Sequence, residues 1–185
     1  MADNALARAT TDAALVVESP RNVETPRKGP AMDAITLLKK DHTTVRALLE
    51  ELEGTTSRGV KKRATLLEKI ASVLKAHTTI EEEIFYPAFK AAGKKSEDDK
   101  MYFEALEEHR AAGDLVLTDL QGTDPASEKF SGRAKVLKEL VDHHAGEEER
   151  EMFPRAKQLM SKQDLIALGD QMATRKEELL AATVD

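Results

Sequence analysis

Sliding the sequence along itself by 67 residues lays four of its five histidines over one another in pairs, and this internal repeat limits the possible folds more than any other feature. The shift places His42 on His109, His77 on His144, Glu81 on Glu148 and Pro87 on Pro154. Both histidine pairs are therefore 35 residues apart. Apolar positions obey the same shift, with Ile70 over Leu137, Val73 over Leu140, Leu74 over Val141 and Phe85 over Met152. The two halves read as duplicated helix pairs.

Helices also suit the composition, which is 34% charged and 4% aromatic and rich in Ala, Leu, Glu and Lys rather than in strand-forming residues. At 185 residues one all-α domain suffices. Residues 1–30 contain Pro20, Pro26 and Pro30 and no sustained period of 3.6, so a disordered extension is expected there. Asp33 offers a cap to a first helix with Ile35, Leu38, His42, Val45, Leu49 and Leu52 on one stripe, ending near Gly54. A second helix is expected from about Arg58, with His77, Ile80, Glu81 and Ile84 on its inner face, until Pro87 kinks or ends it. The third starts near Ser96, carries Ala105, His109, Ala112, Leu115, Val116 and Leu120, and stops at the breaker 122–125. Asp124 as cap and Pro125 as first residue would open a fourth, through Leu137, Val141, His144 and Glu148 up to Pro154. Residues 161–185 suggest a fifth, amphipathic helix packed on the outside through Leu165, Leu168, Met172 and Leu179.

Residues four apart on a helix share a face, so His77 with Glu81 and His144 with Glu148 each aim an imidazole and a carboxylate inward. Adding His42 to the first pair and His109 to the second gives two sets of two histidines and one carboxylate, the ligand type of non-haem iron. Facing one another, they would make a dinuclear centre. The chain has no cysteine, so any metal must sit on nitrogen and oxygen. A lone histidine on an apolar stripe is ordinarily a hydrogen-bonded core residue. Four of them beside two inward carboxylates are different, because an unpaired buried carboxylate costs several kcal/mol and coordination neutralises it.

Neighbouring residues ask for plainer readings. Successive positions on a helix point about 100° apart, so Glu82, Glu83, Glu147 and Glu149 are expected in solvent. His143 with Glu147 also has the chelating spacing, but the 67-residue shift and the apolar stripe favour His144 with Glu148. His143 is then left beside the site or on the surface. Tyr86, nine residues past His77, falls on the far side of a straight helix and reads as core packing unless Pro87 redirects it. Tyr102 reads as filling at the pocket edge, and Asp41 and Glu108, beside the two single histidines, as solvent-facing charges, with support of the neighbouring ligands as the alternative.

The segments KKDHTTV, HTTIEEEIFYP, LEEHRAA and HHAGEEEREMFP, spread over residues 33–154, resemble the hemerythrin-like HHE cation-binding family. The resemblance implies an up-down-up-down four-helix bundle over residues 31–160. It implies a centre of two irons per chain, carboxylate- and oxo-bridged, with His42, His77, His109 and His144 as ligands and Glu81 and Glu148 as bridges. Oxygen-carrying members place a further histidine four residues from the one on the third helix. Here Gly113 and Ala105 occupy those positions, and the repeat mate of Gly113 is Arg46. The coordination sphere would be more open, which tells against simple reversible oxygen carriage and leaves room for an external ligand or redox turnover.

A net charge of -6 without a basic stripe excludes nucleic acid as a partner, and no apolar run approaches the roughly 20 residues of a membrane span. Residues 1–20 include Asp3 and Asp12 and do not read as a secretory signal, so a cytoplasmic location is expected, as a monomer or weak dimer. The expected function is binding or sensing of O2, NO or peroxide at a di-iron centre. The alternatives are a peroxidase-, catalase- or oxidase-type enzyme, and an iron-storage or structural metal bundle serving as an interaction module.

Overall fold

Asp33 starts the first helix, α1 (Ala34–Glu53), by accepting the Thr36 amide on its carboxylate at 3.0 Å. The computed structural model describes residues 32–182, and the extension expected over residues 1–30 lies outside them. Three long helices come next, each interrupted by a π-helical stretch that leaves the rod unbroken. Helix α2 covers residues 60–92, with its π turn at Glu81–Phe85. Helix α3 covers residues 96–121, with a longer π stretch at Arg110–Leu117. Helix α4 covers residues 128–159, with its π turn at Glu148–Met152. The π turns of α2 and α4 are themselves related by the 67-residue shift. Helix α5 (Lys162–Ala181) opens with a capping box in which Ser161 and Asp164 satisfy each other's amides. No strand occurs among the described residues.

These stretches correct three expectations. Pro87 and Pro154 do not end their helices, which run on to Ala92 and Leu159. Proline normally lacks one hydrogen bond and collides with the carbonyl four residues back; immediately after a π turn the ladder is already offset by a residue. In α3 the inserted residue rotates the rest of the helix back by about 100°, so Leu117 is buried while Leu115 is 52% exposed. The fourth helix starts later than Asp124. The Asp124 carboxylate accepts the Ala126 amide inside a turn, and Ser127 caps the helix by accepting the Phe130 amide.

The core is divided. One apolar cluster gathers Ile35, Leu38, Ile80, Phe85, Phe89 and Phe153, and it includes Leu165 and Met172 of α5. The other gathers Val45, Leu49, Ile70, Leu120, Phe130 and Leu137. Along α1 the order Leu38, His42, Val45 shows what separates them: a polar layer of histidines and glutamates. Burying one Leu, Ile or Phe stabilises by about 1.5–3 kcal/mol, so clusters on both sides can hold such a layer out of water. Beyond the second cluster, buried Arg63 donates to Thr55 Oγ1, the Thr55 and Pro125 carbonyls and Ser131 Oγ, and ties the connections at that end together. Helix α5 lies mainly on α1 and α2. No helix among the described residues is long and apolar enough to cross a membrane.

Candidate metal centre

Each half of the repeat sends three groups into the polar layer, and all six are between 0% and 7% exposed. On α2, His77 Nε2 lies 3.2 Å from Glu81 Oε2, and the same oxygen lies 3.3 Å from His109 Nε2 on α3. Glu148 on α4 does the converse. Its Oε2 is 3.1 Å from His42 Nε2 on α1 and 3.6 Å from His144 Nε2. The Nε2 atoms of His109 and His144 are 3.0 Å apart. Each carboxylate thus reaches a histidine of its own half and one of the other. Two overlapping groups result, His42 with His77, Glu81 and Glu148, and Glu81 with His109 and His144, each with its donor atoms within 4.8 Å of one another.

Donor atoms around a cation bound at about 2.1 Å sit about 3.0–3.6 Å apart, the range seen here. His42 Nε2, both oxygens of Glu81 and Glu148 Oε2 have no hydrogen-bond partner. Buried polar atoms in folded proteins are nearly always partnered, so four orphans facing one another point to cations that would satisfy all of them together. The residues fit a bound metal.

The outward nitrogens of the same histidines meet a second ring of carboxylates. His42 Nδ1 lies 2.9 Å from Glu149 Oε1, His109 Nδ1 2.9 Å from Glu82 Oε1, and His144 Nδ1 2.7 Å from Glu108 Oε2. His77 Nδ1 is 3.7 Å from Asp41 Oδ2, whose other oxygen pairs with Lys176 of α5. An ionised carboxylate only accepts, so Nδ1 of His42, His109 and His144 carries the proton and their Nε2 is free to bind metal, whereas His77 Nδ1 faces Asp41 without a hydrogen bond. The expectation that Glu82, Glu149, Asp41 and Glu108 merely face solvent is therefore corrected: Asp41 is 5% exposed, and the rest lean over a neighbouring helix's histidine. The repeat itself carried the missing signal, because the shift maps Asp41 on Glu108 and Glu82 on Glu149.

Tyr86 also needs correction. The π turn adds a residue between His77 and Tyr86 and swings the phenol back to the layer. Its hydroxyl donates to Glu148 Oε1 at 2.9 Å and lies 3.2 Å from His109 Nε2. Its repeat mate, Phe153, stacks on His42 with ring centres 5.7 Å apart and has no hydroxyl. Tyr102 packs against the Tyr86 ring, as filling.

Residues 33–156 match the model of the hemerythrin HHE cation-binding domain. The chain belongs to that family. It is 30% identical over 149 residues to an uncharacterised protein of Mycobacterium tuberculosis, covering 80% of this chain and 88% of the relative. A crystal structure of a hemerythrin HHE cation-binding domain-containing protein from Mycobacterium kansasii, a homologue of that relative, superposes with a TM-score of 0.71 at 27% identity, over 82% of this chain and 89% of the other. A DNA nickase of a Nostoc species is 26% identical over 117 residues, covering 63% of this chain and 31% of the nickase.

In this hemerythrin-family chain Gly113 opens space instead of adding an imidazole. A Cβ at Gly113 would meet nothing within 4 Å. The glycine lines a cavity of about 30 Å3 walled by Val45, Leu74, Ala112 and Val141 on one side and the four histidines on the other. That is room for one small molecule. On the opposite half Arg46 fills the equivalent position and donates to Glu149 Oε1 at 2.7 Å. Charge in the layer is uneven. Burial and then the charge of Glu148 push Glu81 well above the usual carboxylate range. Burial acts on Glu148 as well, but His144, His42 and His77 outweigh it and hold that carboxyl at about 2. Burial drives His77 down to about 4, which keeps its imidazole neutral and ready to coordinate.

Proposed function

We propose that the layer holds two irons, ligated by His42, His77, His109 and His144 and bridged by Glu81 and Glu148, and that this centre binds or senses O2, NO or peroxide. One observation carries the reading: four orphaned buried donor atoms beside a small, largely apolar cavity. Iron would supply a redox-active cation, and Gly113 leaves space beside the histidines that would hold it. The protein's own residues supply the rest. Glu82, Glu108 and Glu149 orient the imidazoles of His109, His144 and His42 and raise their basicity, and the Asp41 carboxylate faces His77. The apolar wall excludes bulk water and favours a small uncharged guest. The short connections 54–59, 93–95 and 122–127 support an up-down-up-down order of α1 to α4.

Anaerobic titration of the metal-free protein with ferrous iron is expected to reach two equivalents per chain, with near-ultraviolet absorption appearing on oxidation. A stoichiometry near zero would refute the proposal.

Tyr86 favours a second reading, decomposition of peroxide. Burial, and after it the charges of Glu148 and Glu81, raise its pKa well above 10, so the hydroxyl keeps its proton and stands as a donor at the layer. Stopped-flow consumption of peroxide by the iron form, compared with Tyr86→Phe and His77→Ala, separates the two readings. Turnover no faster than that of free iron removes the second.

A further inference from the structure

The two halves of the repeat differ most on the face that α5 covers in one and leaves open in the other. In the first half α5 lies on α1 and α2, and its Lys176 reaches down to Asp41. The mate of Asp41 is Glu108, and among the described residues no further helix covers it as α5 covers Asp41. Instead a cleft runs between α3 and α4, lined by Glu104, Glu108, Glu147 and Glu151, with Glu148 of the buried layer also among its lining residues. None of those four outer carboxylates is paired with a lysine or arginine among the described residues. At its rim stands His143, 60% exposed, with Nε2 3.3 Å from Glu108 Oε1 and 3.3 Å from Glu147 Oε1. The repeat has no counterpart for this rim group: the mates of His143 and Glu147 are Ala76 and Ile80, both buried.

Where the closed half neutralises Asp41 with a lysine, the open half presents Glu108 to solvent with an imidazole and a second carboxylate at ligand spacing. The three donor atoms lie within 4.8 Å of one another, and the two measured edges of 3.3 Å match those around a cation bound at about 2.1 Å. Mixed imidazole and carboxylate donors suit first-row divalent metals. Glu108 faces both ways, its Oε1 toward His143 and its Oε2 accepting from His144 Nδ1 at 2.7 Å. Glu148, where the cleft meets the layer, is 2% exposed, and its Oε2 faces His42 Nε2 at 3.1 Å inside the layer with no hydrogen-bond partner.

We propose that Glu108, His143 and Glu147 form a separate divalent-cation site at the surface, and that the acidic cleft behind it is the path along which metal reaches the buried layer. The surface site stands on its own geometry; the path rests on the metal reading of the buried layer. Carboxylates lining a cleft with low-dielectric walls concentrate cations and raise their rate of arrival by about 10 to 10³. The cavity on the Gly113 side shares Glu108 but is otherwise walled mainly by apolar groups and the histidines, which suits uncharged guests, so metal and small ligand would use different approaches.

The test uses the full metal-free chain and the double variant His143→Ala/Glu147→Ala, which leaves all six layer residues and Glu108 in place. Exposed Glu68→Gln is the charge control. Cobalt(II) binding under equilibrium dialysis should show two tight equivalents and one weaker one in the wild type and the control, and only the two tight ones in the double variant. In anaerobic stopped flow, ferrous iron should load the double variant roughly tenfold or more slowly. A double variant that keeps the weaker equivalent overturns the surface site. One that loses it yet loads at the wild-type rate overturns the path. Absence of the two tight equivalents from every protein, with the weaker one retained in wild type, would instead sink the metal reading of the layer and leave the surface site standing.

Discussion

Replacing Gly169 by alanine should destabilise the protein, although the same change inside a helix is normally favourable. Gly-to-Ala in a helix interior gains about 1 kcal/mol. Gly169 lies in α5 where it crosses the start of α1, and a Cβ there would stand 2.1 Å from the Met32 carbonyl oxygen, 2.7 Å from the Ala34 nitrogen and 2.7 Å from the Asp33 carbonyl carbon. Those are backbone atoms and cannot swing aside. Helix α5 would have to lift by roughly 1 Å or more, loosening Leu165 and Met172, which are 5% and 0% exposed. Partial loss of two such side chains, each worth about 1.5–3 kcal/mol when fully buried, outweighs the helical gain and leaves a net cost of about 1–3 kcal/mol. Gly132→Ala is the matched control, because a Cβ there meets nothing within 4 Å, so up to about 1 kcal/mol of gain should survive. Urea unfolding followed by far-ultraviolet circular dichroism measures both. Equal stability of the two variants, or a stabilised Gly169→Ala, would refute this account of how α5 docks.

Four further outcomes are expected from the same structure. Tyr86→Phe removes the donor to Glu148 Oε1 and should destabilise the metal-free protein by about 1–3 kcal/mol in thermal unfolding while leaving its circular dichroism unchanged. Asp41→Asn should weaken binding of the first metal by about 10- to 100-fold in competition with a chelator, because the carboxylate facing His77 is lost, without changing the final stoichiometry. Buried Asp98 accepts two hydrogen bonds from Arg155 and also the amides of Lys94 and Lys95, so Asp98→Asn should cost about 2–3 kcal/mol in urea unfolding. The Arg155 guanidinium holds the Asp98 carboxyl well below its ordinary 3.8. Its contribution is therefore complete above that pH and is lost as pH falls below it, a dependence that should vanish from the acid-unfolding profile of Asp98→Asn.

The inward face of the site was legible in the sequence, because its six residues recur at one shift and at helical spacing. The outer ring was legible in principle by the same shift, but reasoning helix by helix sends Glu82, Glu149, Asp41 and Glu108 to solvent. Glu82, Glu108 and Glu149 bond across to a histidine of a neighbouring helix and Asp41 faces one, and a single helix's periodicity holds no record of its neighbour. The place of Tyr86 and of Leu117 was not legible, since a straight rod at about 100° per residue gives no sign of the π turns that rephase α2 and α3. Pro87 and Pro154 look like helix ends for the same reason. Which face α5 would cover depends on close backbone contact at Gly169 and on the reach of Lys176 to Asp41, features that emerge only in three dimensions.

The central claim is that metal lies among His42, His77, Glu81, His109, His144 and Glu148. Crystals of the iron-loaded chain, measured on both sides of the iron absorption edge, test it most directly. Two anomalous peaks between those side chains are expected, each within about 2.0–2.3 Å of the imidazole Nε2 atoms and carboxylate oxygens. An iron-replete protein whose layer shows no anomalous density, or whose six groups have turned away from one another, would contradict it.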